Sequence, residues 1–297
     1  LLNIVIVGGG ATGIEVAGIL SEMKKFVLPN DYPDMPSSLM HIYLIEAGPR
    51  LLAGMSEESS AHAEQFLREM GVNILLNKRV VDYRDHKVVL EDGTEIATRT
   101  FIWVSGVTGV TIGNLDASLI GRGGRIKVDS FNRVEGMNNV FAIGDQCIQL
   151  ADGNYPNGHP QLAQVAIQQG ELLAKNLVRM EKGREMKPFH YRNLGSMATV
   201  GRNRAVAEFS KVKMQGWFAW VMWLVVHLRS ILGVRNKVIV LLNWVWNYFT
   251  YDQSMRMIVY ARKAKEIRDR EKVEETTHWG KELVQEEKNP SITSSSK

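Results

Sequence analysis

Runs of apolar residues alternate with amphipathic stretches over the first hundred positions of the chain. Asn3–Val7 is a continuous run rich in β-branched residues, which predicts a strand buried on both faces. Residues 13–25 carry apolar side chains at helical spacing, and residues 26–40, with three prolines, have the composition of a loop. The same patterns predict strands over 41–47, 72–76 and 101–104, and a helix over 56–70 that Ser56 caps.

A turn signal follows the third predicted strand. Asp92 and Gly93 stand between the short runs Lys87–Leu90 and Glu95–Ala97, and an Asp-Gly pair in this position is typical of a β-hairpin. The order of elements is therefore βαβαβ followed by a hairpin. This order predicts an α/β fold, with a Rossmann-like, doubly wound nucleotide-binding domain over residues 1–100.

The pattern changes beyond residue 100. Residues 139–143 read as a short strand, and Pro160 can start a long helix that ends near Glu181. Residues 216–251 are apolar and aromatic, whereas the chain is densely charged from about Ala261 and ends in a composition typical of disorder. These changes divide the chain into four regions: 1–100, 101–185, 186–260 and a flexible tail over 261–297.

The glycine-rich segment after the first strand carries the clearest chemistry. Residues 8–13 read GGGATG and match the G-x-G-x-x-G pattern between a predicted strand and a predicted helix. Gly8 permits a tight turn, Gly10 lets the backbone approach a pyrophosphate, and Gly13 lets the helix pack closely on the strand. The helix N-terminus offers free amides to the phosphates. The loop therefore predicts a dinucleotide site.

Glu46 is the acidic partner that such a site requires. It ends the second predicted strand, where a carboxylate can accept hydrogen bonds from ribose hydroxyls. Because it would repel a 2′-phosphate, NADH is favoured over NADPH, although Arg50 lies nearby. The structural alternative is a glycine turn with a surface glutamate. The joint occurrence of loop, helix and acid favours nucleotide binding.

Four motifs give the chain a family resemblance. They are VGGGATGIE at 7–15, WVSGV at 103–107, AIGD at 142–145 and AQVAIQQG at 163–170, and an aromatic C-terminal segment accompanies them. Over about residues 1–258 the chain resembles type II NADH dehydrogenases, which pass electrons from NADH through FAD to a membrane quinone. The chain begins with Leu1 inside an apolar strand, so we interpret it as a fragment that lacks the N-terminal FAD-binding half.

The resemblance implies two cofactors, FAD and NADH. In the family the NADH domain is inserted into the FAD domain, so residues 101–185 are expected to form a partial FAD domain of the two-dinucleotide-binding flavoprotein type. An acid in the position of Asp145 hydrogen-bonds a hydroxyl of the flavin's ribityl or ribose, and the start of the 160–181 helix faces the flavin's pyrimidine edge. The cofactor-binding residues expected from the resemblance, beside the glycine loop and Glu46, are Gly106, Gly144, Asp145, Ala163 and Gln164.

The resemblance also implies three catalytic residues. Gln164 and Gln168 share one helical face, which periodicity alone would interpret as a solvated stripe, but in the family these glutamines line the quinone site. Glu15 takes the place of a glutamate near the flavin that helps to deliver protons to the quinone. The equally weighted alternative for Glu15 is a helix-capping or solvent-facing acid at a helix N-terminus.

Two apolar runs near the C-terminus, residues 217–226 and 238–249, predict a membrane anchor. Each is shorter than the ~20 residues that span a bilayer. Tryptophans and nearby Lys and Arg residues suit a lipid interface, so we predict a monotopic helical hairpin in one leaflet, facing the cytoplasm or an equivalent reducing compartment. The alternative is a helix pair buried in a soluble core or in a homodimer interface.

Composition and charge limit which other classes of protein the chain can belong to. A net charge of +4 over 297 residues does not suggest nucleic-acid binding. The single cysteine, Cys147, excludes a paired-cysteine redox centre within the chain, and no spacing of histidines and acids predicts a metal site. Two alternatives to an NADH:quinone oxidoreductase stay open: a flavoprotein of the sulfide:quinone or ferredoxin reductase type, and an inactive fragment that binds NADH and membrane.

Overall fold

The computed structural model describes residues 3–31, 33–34, 36–110 and 112–250. Their strands and α-helices, in chain order, are β1 (Asn3–Val7), α1 (Ala11–Glu22), α2 (Leu28–Asp31), β2 (His41–Ile45), α3 (Glu57–Glu69), β3 (Val72–Leu75), β4 (Val80–Arg84), β5 (Lys87–Leu90), β6 (Glu95–Ala97), β7 (Thr100–Trp103), β8 (Ile126–Val128), β9 (Cys147–Gln149), α4 (Ala163–Glu181), β10 (Ser196–Thr199), β11 (Ala205–Phe209), β12 (Val212–Gln215), α5 (Gly216–Ser230) and α6 (Val234–Thr250).

A parallel sheet of four strands organises the first hundred residues. Its order is β3-β2-β1-β7, and Val7 pairs with Ile45 on one side and with Trp103 on the other. The predicted βαβαβ order and its parallel sheet are confirmed. Because β1 lies between β2 and β7, the chain leaves this strand towards one edge of the sheet and later returns to its other side. The carboxyl ends of the strands therefore form a crevice at β1, where such sheets bind ligands.

Different layers cover the two faces of this sheet. Helices α1 and α3 pack on one face, where Ile14 and Leu67 share a core with Leu44. On the other face, Val5 of β1 packs against Val88 of the antiparallel sheet β4-β5-β6. The hairpin around Asp92 and Gly93 is confirmed, but β4 was not predicted. Its mostly exposed, partly charged residues lack the apolar pattern of a buried strand.

The predicted loop over 26–40 is wrong in its first part. The helical path of α1 continues through a π-helical turn, Met23–Val27, into α2. Within α1, Gly18 packs against the turn between β10 and β11: a Cβ atom there would lie 2.6 Å from the backbone nitrogen of Gly201.

Two element predictions in the region 101–185 are corrected. Residues 139–143 form no strand. Their pairing is limited to an isolated bridge between Phe141 and Arg133 and to the backbone hydrogen bonds of the same turn. Pro160 does not start the long helix: α4 begins at Ala163, because Leu162 has extended backbone angles and is its N-cap. The strands β8 and β9 are parallel and surround a separate small core with Val134 and Ala142.

The C-terminal sheet shares its core with the parallel sheet. Strands β10, β11 and β12 are antiparallel, and Ala198 and Val206 lie in the same buried cluster as α1 and α3. Helix α5 follows β12 at once and packs its Ala219 against Ala205 and Ala207 of β11. The region predicted as a separate anchor, 186–260, therefore contributes side chains to the core of the first domain.

The described residues up to 238 form one compact unit, and the later residues of α6, 239–250, belong to a second. The predicted tail over 261–297 lies outside the described residues. Within the part of the chain that the structure describes, no helix combines the length and the apolar character that crossing a bilayer requires.

Candidate functional site

Three loops meet at the carboxyl edge of the parallel sheet. The N–H of Gly8 donates to the Ile45 carbonyl at 2.9 Å, and the N–H of Val104 donates to the Val7 carbonyl at 2.9 Å. Gly8 has a φ of 116°, and a Cβ atom at this position would lie 3.0 Å from the Cβ of Ser105. The loop after β1 therefore fits closely against the loop after β7, at the crevice that the strand order creates.

The glycines of the β1–α1 loop have separate roles. A Cβ atom at Gly13 would overlap the carbonyl oxygen of Gly8, so only glycine lets α1 begin this close to the end of β1. A Cβ atom at Gly10 would meet nothing within 4 Å, so the backbone here borders open space. Gly10 is also the N-cap of α1 and supplies no side-chain hydrogen bond. The first-turn amides are left uncapped, as an anion-binding helix start requires.

Glu46 lies directly against the glycine loop. Its Oε2 accepts a hydrogen bond of 2.6 Å from the Gly9 N–H, and its Oε1 accepts one of 2.7 Å from the Gly48 N–H. Each carboxylate oxygen keeps a further lone pair, so the group can still accept hydrogen bonds from a ribose. Gly9 was missed in the sequence because the motif leaves its position unspecified, yet its Cβ would lie 2.6 Å from the Leu51 side chain.

Arg50 is hydrogen bonded to the backbone of its own loop. Its guanidinium donates hydrogen bonds of 2.8 Å and 2.9 Å to the carbonyl oxygens of Met55 and Ala53. These bonds use donors on both terminal nitrogens. Each terminal nitrogen keeps a second N–H, so these bonds do not exclude a contact with a 2′-phosphate, and the preference for NADH expected from Glu46 stays a prediction.

A second turn lies against the start of α4. Gly144 has a φ of 66°, and its N–H donates to the Oε1 of Gln169 at 2.7 Å. The next residue, Asp145, is exposed, and its carbonyl accepts a hydrogen bond of 3.1 Å from Gln161. No side chain caps α4, so the amides of Ala163 and Gln164 lack intrahelical partners, whereas those of Val165 and Ala166 donate to the Leu162 carbonyl. The structure thus places the Gly144–Asp145 turn against α4 and the residues just before it.

Two further residues bear on this second turn. Gln169, 1 % exposed, fixes the Gly144 turn, although the sequence analysis had singled out its neighbours on the helix. An amide with apolar neighbours carries no sequence signal for such a role. Gly106 follows β7 with a φ of 76° and open space around the position of a Cβ. The left-handed conformation explains why glycine occupies this position.

Cys147 is buried beneath the Gly144 turn. Burial raises the pKa of its thiol, although contacts with Gln169 and Asn132 act in the opposite direction. A protonated, buried thiol is a poor nucleophile. This environment argues against the sulfide-oxidising alternative. Among the described residues, no three His, Cys, Asp or Glu side chains come together as metal ligands.

Gln164 and Gln168 clamp the connection that precedes β10. The Oε1 of Gln164 accepts from the Leu194 N–H at 3.0 Å and its Nε2 donates to the Gly195 carbonyl at 3.0 Å. Gln168 bonds both the N–H and the carbonyl of Arg192, at 3.1 Å and 2.9 Å. Each amide nitrogen retains a second N–H. Both glutamines are thus fixed in position while they keep a donor for a ligand.

Glu15 lies on α1 at the other end of the same segment. Its half-buried carboxylate accepts a hydrogen bond of 3.4 Å from the Thr199 N–H. Burial raises the pKa of Glu15, and hydrogen bonds from Thr199 and Trp223 and the charge of His227 partly offset this effect. The carboxylate is thus partly shielded from solvent, and its catalytic role stays a prediction. Residues 192–199 therefore contact all three predicted catalytic side chains, through Gln164 and Gln168 at one end and Glu15 at the other.

His159, beside the start of α4, has a structural environment. Its Nε2 lies 3.0 Å from the Oδ2 of Asp152, and both side chains are buried. The rings of Tyr155, Phe189 and Tyr191 surround the imidazole. Hydrogen bonds from His159 and two backbone amides outweigh the effect of burial and lower the pKa of Asp152. This pair holds the loop before α4 in place.

Together these features define the class of the protein: a dinucleotide-binding fold of the flavoprotein type, with two uncapped helix starts at two glycine turns. The family description "Pyridine nucleotide-disulphide oxidoreductase" matches residues 2–170, and "NDH2 C-terminal domain" matches residues 193–251. The chain belongs to the pyridine nucleotide-disulphide oxidoreductase family, within its type II NADH:quinone oxidoreductases.

Curated relatives agree with this assignment. The chain is 35 % identical over 256 residues to the type II NADH:quinone oxidoreductase NdhA of Mycobacterium tuberculosis, a match that covers 82 % of this chain and 53 % of the relative. It is 32 % identical to the mitochondrial internal alternative NAD(P)H-ubiquinone oxidoreductase A1 of Arabidopsis thaliana, a match that covers 84 % of this chain and 51 % of the relative. The chain thus spans about half the length of the curated relatives it matches.

A solved structure shows the same fold. The NDH2 of Plasmodium falciparum, determined in complex with NADH, superposes with a TM-score of 0.77 at 19 % sequence identity. The match covers 86 % of this chain and 67 % of the other. At this identity the likeness establishes the fold, and the site has to be argued from the residues described above.

Proposed function

We propose that this chain is the NADH-binding and quinone-facing part of a membrane-associated, non-proton-pumping NADH:quinone oxidoreductase that uses FAD. The observation that carries the proposal is the crevice formed by Gly8, Gly10, Glu46 and Ser105 at the switch point of the parallel sheet. The names of the curated relatives, which are NADH:quinone oxidoreductases, support this reaction.

NADH fits the crevice in three respects. The open space at Gly10 admits a pyrophosphate close to the backbone. The uncapped start of α1 offers it amide donors and the positive end of the helix dipole. Glu46 stands beside the loop with lone pairs for ribose hydroxyls. These residues would bind and orient the dinucleotide so that its nicotinamide reaches the crevice.

FAD fits the second turn. The exposed Asp145 carboxylate and the turn at Gly144 would hold a hydroxyl of the flavin nucleotide, and the amides at the start of α4, at Ala163 and Gln164, would stabilise negative charge. We also assign Gly106 to cofactor binding, because its open backbone follows β7. When bound, the flavin supplies the redox chemistry that accepts a hydride from NADH and delivers two electrons to a quinone.

The site that binds and protonates the quinone acceptor is assigned to Gln164, Gln168 and Glu15. The clamped amides each keep one N–H that can donate to a quinone carbonyl without adding charge. Glu15, whose pKa is raised, keeps its proton to a higher pH than an ordinary glutamate and can release it to a reduced quinone oxygen. All three side chains are ordered by one segment, residues 192–199.

The membrane contact is assigned to α5 and α6. On α5, Trp217 and Phe218 are 50 % and 70 % exposed although Ala219 beside them is fully buried. The exposed face therefore carries large apolar side chains that a lipid interface would cover. We place the enzyme on the cytoplasmic side or in an equivalent reducing compartment. A homodimer interface over the same face is the second candidate, because α5 is anchored on one side only.

Binding and turnover test the enzyme. NADH titrated into the chain should give saturable binding, and NADPH should bind more weakly. A longer version that includes upstream sequence should show a flavin visible spectrum and NADH–quinone turnover. A flavin-free, inactive longer protein that still binds NADH would support the inactive-fragment alternative. A flavoprotein that reduces other acceptors but no quinone would support the ferredoxin reductase type.

Flotation with liposomes tests the membrane contact. The chain should float with vesicles that contain anionic lipid, and Phe218→Ser should reduce the floated fraction. Ile167→Ser, which replaces an apolar residue of α4 that is 59 % exposed, is the matched control and should float normally. A wild-type chain that stays in the soluble fraction and sediments as a dimer would favour the homodimer interface instead.

A further inference from the structure

A short linker, residues 104–110, joins the NADH crevice to the turn that carries Asp145. At its start the Val104 N–H donates to the last carbonyl of β1 at 2.9 Å, beside the glycine loop. At its end Val110 is hydrogen bonded to Gln146, the residue that follows Asp145. The linker therefore has one anchor at each of the two proposed nucleotide sites.

Gln146 binds the end of the linker as a neighbouring strand would. Its Oε1 accepts a hydrogen bond of 2.8 Å from the Val110 N–H, and its Nε2 donates one of 2.6 Å to the Val110 carbonyl. Next to this pair, the Gly109 N–H donates to the Gly123 carbonyl at 2.8 Å, and a Cβ atom at Gly109 would lie 2.4 Å from the carbonyl oxygen of Gly124. A side chain and a close contact between two backbones thus fix the end of the linker.

The interior of the linker has little to hold it. Residues 105–108 are exposed and lie in no helix or strand. Gly106 has a φ of 76°, and glycine has more alternative backbone conformations than any other residue. Because the interior is not buried, the path of the linker depends on how its two ends are held.

The turn that contains Gln146 is itself fastened to α4 and the residues before it. The Gly144 N–H donates to the Oε1 of Gln169 at 2.7 Å, and the Asp145 carbonyl accepts a hydrogen bond of 3.1 Å from Gln161. Gly144, Asp145 and Gln146 share one turn of 3₁₀ helix, so a displacement of Gln146 also moves the Asp145 carboxylate. The position of this carboxylate relative to the glycine loop therefore depends on how Gln146 holds the linker.

We propose that Gln146 sets the position of the NADH crevice relative to the flavin site, so that the nicotinamide meets the flavin at hydride-transfer distance. The proposal rests on the function proposed above. In this step NADH gives one hydride, which is a proton with two electrons, to the oxidised flavin and becomes NAD⁺. The reacting atoms have to lie about 3–3.5 Å apart, and a misplacement of about 1 Å can cost roughly a hundredfold in rate. Gln146 acts through the linker and is a positioning residue.

The chain itself allows a test that needs no flavin. Gln146→Leu removes both bonds to Val110, so hydrogen exchange of the Val110 amide should accelerate at least about fivefold. The affinity for NADH should stay unchanged, because the residues of the crevice are untouched. The fold should remain, since residues 192–199 also join α4 to α1.

Two further variants complete this test. Gln65→Leu, which replaces an exposed glutamine of α3, is the matched control and should change neither quantity. Gln146→Glu keeps the acceptor for the Val110 N–H but loses the donor to the carbonyl, so its exchange rate should lie between those of Gln146→Leu and the wild type. An unchanged exchange rate in Gln146→Leu would overturn the clamp. A loss of NADH affinity in that variant would overturn the positioning role, because Gln146 would then act in binding.

The two half-reactions of the longer, flavin-containing protein test the positioning. In Gln146→Leu the limiting rate of flavin reduction by NADH should fall about tenfold, while the NADH concentration that gives half of this rate stays the same. Reoxidation of the reduced flavin by quinone should not change, and Gln146→Glu should recover part of the lost rate. A merely structural defect would slow both half-reactions. Equal loss of both, or an unaltered limiting rate, would therefore overturn the positioning role.

The wild-type protein separates this inference from the proposed function. If NADH does not reduce the flavin of the wild-type longer protein, the proposed function fails and the positioning role fails with it. If the wild type reacts normally and Gln146→Leu has the same limiting rate, the positioning role alone is overturned. The two failures are therefore distinguishable.

Discussion

Glu208 and Ser56, 152 residues apart, join the C-terminal sheet to the nucleotide-binding domain. The Glu208 Oε1 accepts a hydrogen bond of 3.0 Å from the Ser56 N–H and another from the Ser56 hydroxyl. Ser56 in turn accepts a hydrogen bond from the Ser59 N–H and so caps α3. A strand of the C-terminal sheet thereby holds the cap of a helix in the first domain.

Glu208 makes this junction dependent on pH. Burial alone would raise its pKa, but hydrogen bonds from Ser56 and Ser59 outweigh burial and lower it. A lowered pKa in the folded state adds stability above the ordinary pKa of 4.5, and this stability is lost as the pH falls through the lowered value. Glu208→Gln should cost about 1 kcal/mol at pH 7 and almost nothing in strong acid. Urea unfolding across this range measures the difference, and a constant difference would contradict the prediction.

Gly10→Ala separates binding from folding. The new methyl group would enter open space, so the free energy of unfolding should hardly change, while the methyl blocks the approach of a pyrophosphate to the backbone. NADH affinity should fall at least about tenfold, a loss of roughly 1.4 kcal/mol. Gly113→Ala, which also adds a methyl to open space, is the matched control. Unchanged NADH affinity in Gly10→Ala would place the pyrophosphate elsewhere.

Two helical glycines should respond to alanine with opposite signs. At Gly18 a Cβ atom would lie 2.6 Å from the Gly201 nitrogen and 3.0 Å from the Val200 carbonyl carbon, so Gly18→Ala should destabilise the chain by about 1–3 kcal/mol. At Gly170 the nearest atom is a methyl of Ile143 at 3.7 Å, an ordinary contact. Gly170→Ala should stabilise by roughly 0.5–1 kcal/mol, because alanine favours helix. Thermal unfolding of both variants checks the signs.

Gln168→Leu should loosen the connection before β10 and remove a donor from the proposed quinone site. Both bonds to the Arg192 backbone disappear, so hydrogen exchange of the Arg192 amide should accelerate about fivefold or more, since each such bond contributes about 1 kcal/mol. In the longer protein, quinone reduction should fall while flavin reduction by NADH is spared. Glu171→Leu, on the same helix, is the control. Equal loss of both half-reactions would remove Gln168 from the quinone site.

Glu15→Gln should change how stability depends on pH. The pKa of Glu15 is raised in the folded chain, so its contribution is fully present at low pH and is lost as the pH rises through the raised value. The variant removes this loss, so relative to the wild type it should gain stability between acid and neutral pH. If the two proteins differed by the same free energy of unfolding at pH 4 and at pH 7, Glu15 would not be shielded in the folded chain.

Local pattern was sufficient for the parallel sheet and the glycine loop. Continuous runs of β-branched residues form stable strands only when both faces of the strand are covered. These runs therefore predicted β1 and β2 and their order with α1 and α3. The loop glycines were identifiable because a missing side chain is itself the signal. The strand β4 was missed because most of its side chains are exposed, and the strand expected over 139–143 was wrong because a strand also needs a neighbour.

The site residues likewise divide into those that the sequence predicted and those whose contacts only the structure showed. The sequence by itself predicted the dinucleotide loop and its acid, since residue type and spacing carry these features, whereas the two glutamines were singled out by the family resemblance. Only the tertiary structure decided that Gln164 and Gln168 are clamped to the backbone, and that Glu15 lies beside Trp223 and His227, more than two hundred positions away. Contacts between distant segments depend on how sheets and helices pack, and no local pattern of side chains encodes that packing.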